Sequence, residues 1–438
     1  MGDRLFGTDG VRGVANSELT PQLAFDLARA AGSAIRGPVL IGRDTRRSGP
    51  MLAAALQAGF NSVGVDTVDL GVIPIGGVSR LTNASDAEMG VMVSASHNPA
   101  PDNGIKLIAH SGNKLPDALE EAIERRYESG VAYATPTGGG VGTAEVMEGA
   151  IDRYLHLVAG GRGRVLSGMR LALDCANGAA HLAAPALFRR LGADVDVHAA
   201  SPNGVNINDG CGATHPESLV PLTAGRIGFC FDGDADRLIA IDEDGMVVNG
   251  DVIMAILARH MKQQGTLAGD QVVSTVMANL GFRQAMQRLG IAVVQTQVGD
   301  RYVLEEMERI GATLGGEQSG HIILEDRMSG DGLRTALRLS EVLVATGSEL
   351  RKLRMVMTEF PQVLQNVTVA DKGHLDTADE VWSAVAEAAA ALGDDGRILV
   401  RASGTEPIVR VMVEAPTAET AEEVAAALSR VVASSLGG

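Results

Sequence analysis

Aromatic residues are scarce: 8 Phe, 4 Tyr and 1 Trp among 438 residues. Basic residues are also outnumbered, 37 Lys+Arg against 54 Asp+Glu, for a formal net charge of −17. A nucleic-acid binder needs a basic footprint and often stacking rings, so that class of partner is not expected. There are three cysteines, Cys175, Cys211 and Cys230, without CxxC spacing. They read as reduced thiols of a cytoplasmic protein, not as a disulfide or zinc framework. No run approaches the ~20 apolar residues of a spanning helix, so no membrane is expected. The uncharged stretch 48–65 carries Pro50, Gly59, Asn61 and Gly64 and reads as a helix and turn. Asp3, Arg4 and Asp9 stand where a signal peptide needs an apolar core, so no leader is expected.

What is abundant is glycine, 54 residues without a triplet period, which points to many tight turns. Hydrophobic residues make up 45% of the chain, enough for real cores. The length suggests roughly three domains at ~150 residues each. A strand–turn–helix–strand pattern recurs three times. Strands are expected at 39–44 and 65–71, at 170–178 and 193–199, and at 271–276 and 291–298, with a helix inside each pair. Such units argue for α/β architecture with substantial parallel pairing. The C-terminal stretch differs. Thr377 to Glu380 reads as a capping box ahead of a helix, followed by strands at 398–403 and 408–415 and a last helix from Thr420. In the second strand Val409, Val411 and Val413 alternate with Arg410, Met412 and Glu414, the sign of a half-buried strand. Residues 371–396 hold seven acids and one lysine and read as a solvated face.

Four loops carry chemistry. SASHNP (94–99) follows an apolar strand. Alone it reads as a polar turn; it lacks the GxSxG of a serine hydrolase, and a phosphoryl-accepting serine would need a metal and cations nearby. DGDADR (232–237) sets three carboxylates at i, i+2 and i+4 between two strands, a cluster that is costly without a cation. Oxygen donors select Mg²⁺ or Ca²⁺. Arg237 stands where an EF-hand needs glycine, which favours Mg²⁺. GEQSGH (316–321) surrounds a carboxylate, a hydroxyl and an imidazole with small residues and suits sugar hydroxyls or an amine. RASGTEPIVR (401–410) offers two arginines, two hydroxyls and the Gly404 amide as an anion cradle. No Walker A or GxGxxG sequence accompanies it. Each loop follows a strand, where ligands of open α/β sheets bind.

Together these four motifs resemble the α-D-phosphohexomutase superfamily. The opening RLFGTDGVRG (4–13), DNGIKL (102–107) and VGDRYVLE (298–305) look like its bacterial phosphoglucosamine mutase branch. The resemblance spans nearly the whole chain in collinear order. It implies three similar mixed α/β domains plus a smaller C-terminal α+β domain around a central cleft. The expected divisions are 1–150 with the phosphoserine loop, 151–250 with the metal loop, 251–360 with the sugar loop and 361–438 with the phosphate loop.

By the same resemblance, Ser96 matches the serine that is phosphorylated, and Asp232, Asp234 and Asp236 match Mg²⁺ ligands, with a phosphoryl oxygen on Ser96 completing the shell. Glu317 and Ser319 match the sugar loop, with His321 beside them. Arg401, Ser403, Gly404, Thr405 and Arg410 match the grip on the non-reacting phosphate. Arg12, Lys106 and Arg237 match basic residues near the transferred group, and His97 adjoins the serine. The implied reaction converts glucosamine 6-phosphate to glucosamine 1-phosphate through a 1,6-bisphosphate, supplying UDP-N-acetylglucosamine and cell-wall synthesis. The implied enzyme is a cytoplasmic monomer or homodimer. Lys106, His97 and His321 remain candidates for the proton acceptor. One departure stands out: after Pro74 the family often continues Thr-Pro, whereas this chain has Ile75-Gly76-Gly77, which puts a local turn in doubt. The alternative is a phosphomannomutase/phosphoglucomutase acting on neutral hexose phosphates. A two-zinc phosphatase would want a richer ligand set, and a Ca²⁺-binding or sugar-phosphate-sensing protein is the non-enzymatic rival. The cleft is expected to be locally positive despite the net charge.

Overall fold

Runs such as VLIGR (Val39–Arg43) and MGVMV (Met89–Val93) are apolar on both faces and almost wholly buried. That is the pattern of parallel strands covered on each side by helices. A computed structural model describes residues 5–7, 9–130, 133–403 and 407–437. In it these two strands pair in parallel at the centre of a six-stranded sheet, ordered Val11–Val14, Asp102–Ala109, Met89–Val93, Val39–Arg43, Thr67–Val72, Ala144–Val146. Leu27 and Ala31 of helix Pro21–Gly32 and Leu52, Leu56 and Phe60 of helix Gly49–Ser62 close its core over Val39, Ile41, Val91 and Val93. Both helices carry Pro in their first turn, where a missing N–H costs nothing.

The second sheet has five strands, ordered Val247–Val248, Leu238–Ile241, Ile227–Phe231, Arg170–Asp174, Asp194–His198. The third has four, ordered Ala292–Thr296, Gln271–Thr275, Gly315–Gly316, Ile322–Ile323. In all three a parallel centre ends in antiparallel neighbours. Met89–Val93 runs antiparallel to Asp102–Ala109, Ile227–Phe231 to Leu238–Ile241, and Gly315–Gly316 to Ile322–Ile323. The chemical loops at 94–99, 232–237 and 317–321 are the connections inside these antiparallel pairs. The architecture is α/β with three mixed sheets and a small antiparallel C-terminal sheet, as expected.

The chain divides into two compact units, Met1–Met277 with Ile291–Val356, and Ala278–Gly290 with Met357–Gly438. The second unit is built on a three-stranded antiparallel sheet, ordered Gln362–Thr368, Ile408–Glu414, Arg397–Ala402. Val409, Val411 and Val413 meet Ala421, Ala425, Leu428 and Val432, one face of helix Ala418–Leu436.

Three local expectations need correction. Met412 and Glu414 are buried too, so strand Ile408–Glu414 is not half-exposed. It is the central strand, and Glu414 pairs with the Arg397 guanidinium at 3.0 Å and accepts a hydrogen bond from the Leu280 amide at the start of helix Leu280–Arg288. The capping box is absent: the helix is Asp379–Leu392, its N-cap is Ala378, and Thr377 ends a 3₁₀ segment with its hydroxyl donating to the His374 carbonyl. The doubtful turn after Pro74 is the first turn of helix Ile75–Asn83.

Candidate active site

The serine loop is held from beneath. Ser96 adopts a left-handed backbone, φ 50°, which a non-glycine residue rarely tolerates without support. Its carbonyl accepts from Arg46 Nη2 at 3.0 Å and Asn208 Nδ2 at 2.9 Å. Arg46 has no exposed side-chain surface. Its Nη2 also donates to the Asn98 carbonyl, Nη1 to the carbonyls of Pro99 and Asp102, and Nε to Asp44. All five guanidinium N–H groups are therefore engaged, three of them on the loop and one on Asp102, where the next strand begins. Ser94 donates to Asp44 and accepts from the Ser96 amide. The Ser96 hydroxyl is left pointing at the second loop.

There it donates to Asp232 Oδ2 at 2.5 Å. The two loops meet this closely because residue 233 is glycine: a Cβ there would lie 2.3 Å from the Ser96 carbonyl oxygen. Asp232, Asp234 and Asp236 are buried, and each offers a carboxylate oxygen within 4.8 Å of the others. Burial and the charges of Asp236 and Asp234 push the Asp232 carboxyl well above its usual range. Burial likewise opposes ionisation of Asp236, but His321 and Lys106 outweigh it and hold that carboxyl low. Asp234 Oδ1 and Asp236 Oδ1 are buried without a hydrogen-bond partner. Orphaned carboxylate oxygens of this kind are costly unless a cation meets them. Hard oxygen donors prefer Mg²⁺, and this cluster is consistent with a Mg²⁺ site.

Lys106 lies 2.9 Å from Asp234 and 3.0 Å from Asp9. It is buried behind the aspartates and is absent from the cavity wall. Burial would lower its pKa, but Asp234, Asp9 and Asp236 raise it, so the ammonium stays charged. His97 does line the cavity, with Nδ1 3.4 Å from Ser96 Oγ. Burial, then Arg237 and Arg12, pull its pKa down to about 4, so the ring is neutral near pH 7.

The third loop is tied to the second by an antiparallel bridge between Arg237 and His321 and by the Leu238 amide donating to the Gly320 carbonyl. His321 sits 3.4 Å from Asp236 and 3.5 Å from Asp300. Burial would lower its pKa, but Asp236 and then Asp300 outweigh it and push it up to about 9, so the ring is a cation near pH 7 with an Nδ1 proton facing Asp236. Glu317 Oε1 accepts from the Gly299 amide at 3.1 Å. Ser319 Oγ is buried without a hydrogen-bond partner and does not line the cavity. The cavity has a volume of about 500 Å³, and Arg12, Ser96, His97, Arg237, Glu317 and His321 are on its wall.

In the second unit, Arg401 and Arg410 are opposed in register on neighbouring antiparallel strands. Like charges facing across strands are unfavourable, and burial together with Arg410 lowers the Arg401 pKa. An anion between them removes that penalty. Ser403 is buried, and its carbonyl accepts from Lys372 Nζ at 2.7 Å. Gly404 and Thr405 lie outside the described residues.

Sequence reasoning missed Arg46, Lys372 and a charge chain in the cavity wall. Lys114 bridges Asp9 at 2.5 Å and Asp300 at 2.6 Å, and Asp300 faces His321. Asp9 and Asp300 lie in the quoted motifs, but only the fold brings Lys114 between them.

Comparison with known proteins fits this geometry. Residues 3–134, 249–360 and 364–431 match the phosphoglucomutase/phosphomannomutase models for domain I, domain III and the C-terminal domain. The phosphoglucosamine mutase of Moorella thermoacetica is 52% identical, over 98% of this chain and 99% of that protein. A phosphoglucomutase/phosphomannomutase family protein from Burkholderia thailandensis superposes with a TM-score of 0.81 at 25% identity, over 99% of this chain and 98% of its own. The N-acetylphosphoglucosamine mutase of Aspergillus fumigatus, solved with GlcNAc-6P and magnesium, shares the fold at a TM-score of 0.68 and 20% identity, over 98% of this chain and 95% of its own. Among the described residues no helix is long and apolar enough to cross a membrane. On the extent of that identity and the three matched models, the chain belongs to the phosphoglucosamine mutases of the α-D-phosphohexomutase superfamily.

Proposed function

We propose that the chain interconverts glucosamine 6-phosphate and glucosamine 1-phosphate through a phosphorylated Ser96 and a 1,6-bisphosphate. The observation that carries this reading is the Ser96 hydroxyl seated on Asp232 within the three-carboxylate cluster, at the wall of a cavity of sugar-phosphate size. In the first step the bond between Ser96 Oγ and phosphorus breaks as a bond from phosphorus to the sugar O1 forms. The O1 proton passes to a base. His97 is favoured for that role because its ring is neutral and lies beside Ser96, whereas Lys106 is held as an ammonium ion. The bisphosphate then presents its other end, the bond from phosphorus to O6 breaks, Ser96 is rephosphorylated, and glucosamine 1-phosphate leaves. Arg12 and Arg237 supply charge to the transferred phosphoryl oxygens.

Asp232, Asp234, Asp236 and an oxygen of phosphorylated Ser96 would hold Mg²⁺. When bound, the ion acts as a Lewis acid that neutralises charge on the phosphoryl group. Glu317, on the cavity wall, would orient the sugar, its carboxylate suited to an amine, whereas Ser319 lies off that wall and would act from within the same loop. Arg401, Ser403, Gly404, Thr405 and Arg410 would grip the non-reacting phosphate, and four divisions ending near residues 150, 250 and 360 would supply one loop each. The setting is cytoplasmic, with the enzyme a monomer or homodimer. Parallel assays with glucosamine, glucose and mannose 6-phosphates and Mg²⁺ test the substrate. The amino sugar should turn over fastest; a much faster reaction with glucose 6-phosphate would move the assignment to the neutral-hexose branch.

A further inference from the structure

One buried carboxylate outside the cleft ties together three helices behind the aspartate loop. Asp331, 3% exposed, is the N-cap of helix Gly332–Thr346. Its Oδ1 accepts from the Arg334 amide at 3.0 Å and from the Tyr154 hydroxyl at 2.9 Å, and Oδ2 accepts from Arg80 Nε at 2.9 Å. Tyr154 is fully buried on helix Ala150–Ala159, and Arg80 belongs to helix Ile75–Asn83. Two of the three helices reach the aspartate loop through their first residues. The Gly332 amide donates to the Ala235 carbonyl at 2.9 Å, and the Ile75 amide donates to the Asp234 carbonyl at 3.0 Å. Ala235 is left-handed, φ 60°, so the curl that brings the carboxylates together needs an outside hold. The unusual Ile75-Gly76-Gly77 run now has a physical account. A Cβ on Gly76 would lie 2.5 Å from Asp331 Cγ and 2.6 Å from Oδ2, so glycine lets the helix start sit against the clamp.

We propose that Asp331 is a positioning residue for the cation site, setting the shape of the 232–236 loop through the two helix starts it joins, and that Gly76 is required for that clamp. The inference rests on reading the aspartate cluster as a divalent-cation site. It is tested with the metal-free full-length protein and Mn²⁺ alone, by calorimetric titration and by the paramagnetic signal of unbound Mn²⁺. Asp331→Asn keeps the side-chain shape but weakens the hold on Arg80. Gly76→Ala touches no residue of the cleft and adds a good helix former. Both variants should bind Mn²⁺ about 10-fold or more weakly than the parent, with unchanged far-ultraviolet dichroism. Affinities within about twofold of the parent, even with a lowered melting temperature, overturn the proposal, because a merely structural clamp leaves the folded fraction's affinity intact. If Asp331→Asn does not fold, Gly76→Ala decides by the same criterion. A parent protein that binds no Mn²⁺ overturns instead the cation-site reading beneath it.

Discussion

At the scale of the residue, the site depends on groups that do not line the cavity. Ser96 is held in a left-handed backbone costing about 1–3 kcal/mol. Arg46 and Asn208 hold its carbonyl there. Arg46→Met would strand Asp44 as a buried, uncompensated charge and take one donor from each of the carbonyls of Ser96, Asn98, Pro99 and Asp102. The expected loss of stability is about 3–5 kcal/mol, read from urea unfolding of the parent and variant. A loss under about 0.5 kcal/mol would mean that the guanidinium is only a packing group. Sequence alone could not single out Arg46, because Arg47 beside it is an equally basic turn residue, and only burial separates them.

The element that organises the chemistry is the antiparallel hairpin at the end of each parallel sheet. The connecting loops meet one another: Ser96 reaches Asp232, and Arg237 bridges His321. Gly233 shows how close that approach is, since a Cβ would collide with the Ser96 carbonyl oxygen. Gly233→Ala should separate the serine from the aspartates and lower kcat/KM on the order of 100-fold, with secondary structure unchanged by dichroism. Activity near the parent's would show that the loops do not act as a pair. Much at this scale was legible. The apolar run Met89–Val93 before Ser94, and the three aspartates at even spacing between two strands, announced both loops. The hairpin connection was not legible, because a strand's direction relative to its partner leaves no mark in its own residues. The Thr377 capping box failed because the chain was already turned in a 3₁₀ segment there. Lys372 was hidden in an acidic stretch read as solvated, although it reaches the Ser403 carbonyl.

For the whole molecule, the net charge of −17 is less of an obstacle than the cleft itself. The expected positive lining is only partly met. Among the described residues on the cavity wall, Arg12, Lys114, Arg237 and the protonated His321 face Asp9, Asp236, Asp300 and Glu317, four cations against four carboxylates. Lys106 adds no free charge, being committed to Asp234 and Asp9. A divalent cation at the aspartates would therefore tip a balanced wall to net positive, which favours holding a phosphorylated sugar as well as reacting with one. The scarcity of Phe, Tyr and Trp fits this, since among the described residues none of them lines the cavity, and charged groups, imidazoles, a hydroxyl and glycine backbone make up its polar wall. The central claim is that Ser96 gives its own phosphoryl group to the sugar and takes back the other one. It is tested most directly by a single turnover of enzyme radiolabelled on the Ser96 phosphate, with unlabelled glucosamine 6-phosphate and Mg²⁺. The label is expected on O1 of glucosamine 1-phosphate, with Ser96 still phosphorylated but without label. Label released as inorganic phosphate, or retained on Ser96 while product forms, would contradict it.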